Sequence, residues 1–216
     1  MFRTARHILF APLVSSWLRT STHSWRLLPT PEARPRAHAA GPNADRVLLV
    51  GSGVAMGYGV TTGDLALGGY LARGLTSVTR RGTAVDTVAR MGLRVRDCED
   101  VLARSALGGY DTVVLTLGTD EALHLLTARA FRSDLTRFLD WLDTAAPARL
   151  GVVVVGIPDV TSIMKIPRPW EGLVQRSCVL LDAELKRISG EHARVTYLPF
   201  TPAPVDLERD GDRHFY

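Results

Sequence analysis

The sequence predicts an α/β fold, a three-layer α/β/α sandwich with a five-stranded parallel sheet. Three observations carry that prediction. The first is a set of short apolar runs, clearest in Val47–Val50, Asp111–Leu117 and Gly151–Gly156, each bounded by glycine. Runs of this length, rich in Val and Leu, read as strands buried on both faces of a parallel sheet. The second is helical periodicity between them, seen best in Leu135, Phe138, Leu139 and Leu142, whose i, i+3, i+4, i+7 spacing lines one face of a helix. The third is the alternation of strand and helix from Arg46 onward. Right-handed crossovers then place helices on both faces of the sheet.

The elements follow in order. Arg46–Val50 is the first strand and runs into a turn holding Gly51, Gly53, Gly57 and Gly59. Asp64 stands where a carboxylate caps a helix reaching Thr79, with Leu65, Leu67, Leu71 and Leu75 among its apolar positions. Arg81-Gly82 is a turn, Thr83–Ala89 the second strand, and Gly92 follows it. A helix is expected near Val95–Ser105. Asp111–Leu117, β-branched and leading into Gly118, is the third strand. The helix at Ala130–Ala145 is ended by Pro147. Gly151–Gly156 is the fourth strand. Leu173–Ser189 is a helix with Gly190 as a candidate left-handed cap. Val195–Leu198 is the last strand. The connection Ile157–Trp170 carries Pro158, Pro167 and Pro169 and is long enough to serve as a lid. Phe131, Trp141 and Trp170 are core or lid candidates.

Residues 1–45 differ in composition from residues 46–216, so the chain divides into a partly disordered, Pro/Arg-rich leader and one domain. The leader holds six arginines against two acidic residues, which accounts for the whole net charge of +4. A neutral domain behind a basic leader is not a nucleic-acid binder by the usual charge criterion. Met1–His7 is basic, Ile8–Leu18 is mostly apolar, and Ala37-His38-Ala39 has the small-x-small form of a cleavage site. Pro12 breaks the apolar run, and a long polar stretch separates it from the Ala-rich site. The run is also shorter than the roughly 20 residues of a membrane-spanning helix. Three readings stand: an amphipathic segment making weak membrane-surface contact through residues 1–20, a secretion signal, and a mis-called start codon. The first makes a cytoplasmic or membrane-associated protein the expectation over a secreted one. Cys98 and Cys178 make neither a disulfide framework nor a zinc site, and Cys178 falls in an apolar helical pattern. No Cys/His/Asp cluster has metal-ligand spacing. His124 and His192 read as surface residues.

In an open α/β sheet ligands sit off the carboxyl ends of the strands, which makes the turn after Val50 the candidate site. A dinucleotide fold needs an acidic residue closing the second strand. That strand ends Ala89-Arg90-Met91-Gly92, with Asp86 inside it. A phosphate-binding P-loop needs a Gly-Lys-Ser/Thr that the turn lacks.

The residues of the turn, Gly51-Ser52-Gly53-Val54-Ala55-Met56-Gly57-Tyr58-Gly59-Val60, resemble the first motif of the SGNH (GDSL-type) hydrolases, Gly-Asp-Ser-x-x-x-Gly followed by Tyr-Gly-Val. Gly92 stands in the place of the second motif. Gly118-Thr119-Asp120-Glu121 is similar to the third, Gly-x-Asn-Asp. Asp210-Gly211-Asp212-Arg213-His214 is similar to the closing Asp-x-x-His. The resemblance spans residues 46–216 and implies a three-layer sandwich, action on a small-molecule ester or acylated substrate, and no cofactor. It implies His214 as general base, oriented by Asp210 or Asp212. It also implies an oxyanion hole from the amides of Gly53 and Gly92 and the side chain at Asp120. Two departures bear on activity. Gly53 occupies the nucleophile position and cannot form an acyl-enzyme; Ser52, one residue early, is the candidate substitute. Asp120 replaces an Asn, so an acceptor stands where a donor belongs, unless its carboxyl is protonated. The family continues into a final helix where this chain stops at Tyr216. A truncated domain, with the true Asp-x-x-His beyond it, is therefore an open alternative. The expectation is an esterase, lipase or deacetylase; the alternative is a catalytically inactive relative that binds an acyl or sugar ligand or a protein.

Overall fold

The apolar runs assemble into one sheet. In a computed structural model, residues 12–14, 16, 17, 20, 31, 36–58, 60–162 and 166–201 are described. The strands are β1 (Arg36–Ala39), β2 (Asp45–Gly51), β3 (Thr83–Ala89), β4 (Thr112–Thr116), β5 (Gly151–Val155) and β6 (Val195–Leu198). Their spatial order is β1-β3-β2-β4-β5-β6. β1 runs antiparallel to β3, and every other pairing is parallel. The five parallel strands are those the apolar runs predict. The sheet has six because β1 joins it from within the stretch read as leader. Four residues containing two alanines give almost no strand signal. β1 is held instead by tertiary contacts: Ala37 packs in the smaller core, and the Arg36 guanidinium holds Asp86 of β3, Nε–Oδ1 2.5 Å. Tyr110 also donates to Asp86, at 2.9 Å. The small-x-small triplet read as a cleavage site thus lies within a paired strand.

Strand alternation divides the interior in two. Leu48, Val50, Val113, Leu115, Val152 and Val154 face the larger core; Val47, Leu49, Val85 and Val114 face the smaller one. α1 (Leu67–Thr79) closes the smaller core with Ala72, Leu67, Leu71 and Leu75. The larger core is closed by α2 (Cys98–Leu102), α3 (Thr119–Leu123), α4 (Ala128–Ala145) and α5 (Arg168–Ser189). α4 starts at Thr127, whose hydroxyl accepts from the Ala130 amide at 3.3 Å. Its buried stripe is Phe131, Leu135, Phe138, Leu139 and Leu142, each such side chain contributing about 1.5–3 kcal/mol when fully buried.

Several local expectations are corrected. Asp64 sits inside a 3-10 turn, Gly63–Leu65, and α1 begins only at Leu67, so its carboxylate caps nothing. The stretch near Val95–Ser105 is a 3-10 turn followed by the short α2. Gly190 ends α5 in a right-handed conformation, φ −71°. α5 starts at Arg168, because Pro169 in its first turn needs no intrahelical partner; the end of the long connection is therefore helix. His192 is nearly buried and meets Asp143, Nδ1–Oδ2 2.6 Å. Part of the leader also packs inward. Val14 is wholly buried in the larger core, and Trp17 stands edge-on to Trp170 at 6.3 Å. Cys98 and Cys178 are free and buried. Among the described residues no helix is long and apolar enough to cross a membrane.

Candidate active-site cleft

The parallel order β3-β2-β4-β5-β6 reverses direction at β2. A ligand crevice is expected at such a switch point, beyond the carboxyl ends of β2 and its neighbours. Register brings the three motif-bearing loops there together. Gly51 pairs with Ala89 on one side and Thr116 on the other. The ladder continues one step further, through Arg90 N–H to Gly51 O at 3.2 Å and Ser52 N–H to Thr116 O at 3.3 Å. The chain then leaves the sheet at three neighbouring points, and Gly53, Gly92 and Gly118-Thr119-Asp120 follow within two to four residues.

Gly53 and Gly92 both have left-handed backbones, φ +56° and +71°. A Cβ built on either would meet nothing within 4 Å. At both points the turn therefore needs glycine for its backbone, and the space that a side chain would fill is open. Ser52 behaves oppositely. Its backbone is extended, φ −126° and ψ −174°, so alternation directs it to the side of Leu48 and Val50. It is 2% exposed and its hydroxyl has no hydrogen-bond partner. As placed, it offers almost no surface to a substrate.

α3 carries the third motif. Asp120 is buried, and its carbonyl accepts from the His124 amide at 3.1 Å, with His124 Nδ1 at 2.7 Å from the same oxygen. His124 thus folds back onto its own helix. Glu121 has no role in the sequence reading, yet it is the most constrained acid here. It is 1% exposed; one oxygen accepts from the Val95 amide at 2.7 Å and the other has no partner. Burial pushes its carboxyl up to about 7, with Asp120 adding to the rise. The only prior signal for it is its place in the Gly-x-Asn-Asp pattern, one methylene longer than the family's Asp. Burial likewise pushes both thiols up, Cys178 to about 11, which makes them poor nucleophiles. Among the described residues no group of His, Cys, Asp and Glu could hold a metal ion.

His214, Asp210 and Asp212 lie outside the described residues. The structure therefore brings together the turn at Ser52-Gly53, the Gly92 loop and Asp120. Ile157, the first residue after Gly156, packs on this side as well. A Cβ on Gly118 would stand 2.3 Å from Ile157 Cδ1, so the connection read as a lid starts against the third motif.

No family model matches the sequence, and no curated protein matches it either. Solved structures do match. A lipase/acylhydrolase from Enterococcus faecalis superposes with TM-score 0.52 at 16% identity, over 70% of this chain and 74% of its own. AlinE4, an SGNH-hydrolase family esterase, gives TM-score 0.54 at 18% identity, over 81% and 82%. An extracellular lipase from Streptomyces rimosus gives 0.52 at 19%, over 72% and 80%. At these identities the likeness establishes the fold, which is that of SGNH/GDSL lipases and esterases.

Proposed function

We propose that this cleft takes a small carboxylic ester or acylated sugar and that its acyl group is transferred to water without an acyl-enzyme. The observation that carries the reading is the open space at Gly53, where a Cβ would meet nothing within 4 Å. A water there occupies the place of the missing serine hydroxyl. His214 takes its proton as it attacks the ester carbonyl, with Asp210 or Asp212 orienting the ring. The Gly53 and Gly92 amides face the developing oxyanion, and the alkoxide leaves with the proton returned by His214. Asp120 weakens this arrangement when ionised, since losing one such donor costs about 3–4 kcal/mol. Slow turnover is the consequence.

A second reading has its own support. The absence of any side chain at Gly53 and the burial of Ser52 fit a cleft that binds an acyl or sugar ligand without cleaving it. One experiment separates the two. Purified protein is assayed with short-chain aryl esters alongside Ser52→Ala and His214→Ala. Water attack predicts linear turnover without a burst, retained in Ser52→Ala and lost in His214→Ala. Loss in both variants would restore Ser52 as nucleophile. Turnover no greater than that of buffer supports the binding reading.

A further inference from the structure

We infer that Glu121 is a positioning residue, whose buried carboxyl ties the Gly92 loop to α3 and so sets where the Gly92 amide stands in the cleft. The inference rests on the proposed role of that amide, but its central observation is independent of any activity. β3 and β4 flank β2 and are not paired with each other. The loops that leave them, carrying Gly92 and Asp120, therefore have no shared ladder beyond the sheet. Glu121 bridges them. It lies in the first turn of α3, and its Oε1 accepts the amide of Val95, three residues after Gly92, at 2.7 Å. The link is dry, because Val95 and Glu121 are each 1% exposed. Leu93, between Gly92 and Val95, is wholly buried in the same core. The loop is thus anchored at two points, one apolar and one polar, with Gly92 immediately before them. A family-type Asp would be one methylene shorter; the longer Glu spans the gap with a single oxygen and leaves Oε2 bare.

That bare oxygen makes the link sensitive to protonation. The groups that act on the Glu121 carboxyl are the Val95 amide and its own amide, Asp120 on its own helix and Arg94 on the loop, with the Cys98 thiol, which donates to the Arg94 carbonyl at 3.3 Å, close enough to feel its charge. Asp120 disfavours the charged form and Arg94 favours it, while burial opposes it most strongly. As a neutral acid Glu121 still accepts from Val95, and it carries no buried charge. When it ionises, the unpartnered oxygen gains most from water, and the loop must open to supply it.

The test is amide hydrogen exchange by mass spectrometry, on the full chain and on Glu121→Gln and Glu121→Ala. Protection factors are read for residues 92–97 and, as reference, for β2 and β4. In the parent chain, protection of 92–97 should fall about tenfold as pH rises through 7, with the strands unchanged. Glu121→Gln, which keeps one carbonyl acceptor, should retain the protection and lose the pH step. Glu121→Ala should lose at least tenfold of the protection at pH 6. A pH step that persists in Glu121→Gln overturns the inference. So does an Ala variant in which 92–97 and the strands lose protection equally, since that reports general destabilisation. If Glu121→Ala does not fold, the Gln comparison alone decides. Ester turnover is measured on the same samples. A protein with no turnover that shows the local exchange pattern fails the hydrolytic reading and keeps the positioning role.

Discussion

Returning a hydroxyl to Gly53 gives the sharpest test of the cleft. In Gly53→Ser the new Cβ meets nothing within 4 Å, so no steric penalty arises. The backbone does resist, because φ is +56° and an L-residue in the left-handed region costs about 1–2 kcal/mol. For a chain of this size that lowers Tm by roughly 2–8 °C, leaving the protein folded. The gain is a hydroxyl in that open space, at the position where the resemblance to Gly-Asp-Ser would put a nucleophile. Combined with Asp120→Asn, which returns an oxyanion donor, ester turnover should rise by roughly 10²–10³ from the donor alone. Fluorophosphonate labelling reads the serine directly. The double variant should gain one phosphonyl group by mass, and the parent chain none. A folded double variant, showing only the small loss of Tm, that takes up no label and gains no turnover would refute the argument. It would mean that position 53 does not face a base.

Four further outcomes follow from the geometry. Glu121 has a folded pKa of about 7 against an ordinary 4.5. Its contribution is therefore fully present below pH 4.5 and is lost as pH rises through 7, at most about 3 kcal/mol at 1.36 per unit. Denaturant unfolding at pH 5 and pH 8 should show that loss in the parent and not in Glu121→Gln. Trp17→Ala removes the edge-on contact with Trp170 and should destabilise by about 0.5–1.5 kcal/mol beyond its burial, measured the same way; no change would show that this segment does not pack on the domain. Ala37→Asp puts a charge into the smaller core and should release β1, raising amide exchange at residues 36–39 and 83–86. Cys98 and Cys178, both buried, should resist a thiol reagent in the native protein and both react in denaturant.

The parallel sheet was legible because its strands are buried on both faces, which demands continuous apolar runs. The loops that meet at the cleft were legible from their glycines, since φ near +60° leaves few other residues. What the sequence hid is held by tertiary contacts. β1 depends on Arg36 meeting Asp86, 50 residues away, and local propensity carries no trace of such a pair. Val14 reads as one member of a broken apolar run, and only its packing among the residues of the larger core buries it. His192 resembles a loop histidine until Asp143, 49 residues earlier, arrives beside it. The burial of Ser52 was implicit in alternation, given that Val50 points into the larger core, but only if the strand geometry continued past Gly51. It does so by one residue.

That extra residue decides which of two neighbouring positions faces the fold and which faces open space. Here Ser52 takes the inward place, and its small hydroxyl finds no partner there. The outward place goes to Gly53, whose left-handed backbone is the conformation glycine adopts without strain. A serine at position 53 would be strained by that backbone. On physical grounds position 53 in this chain is a backbone site, and its hydrogen-bonding N–H, rather than any side chain, is what a ligand at the end of β2 would meet.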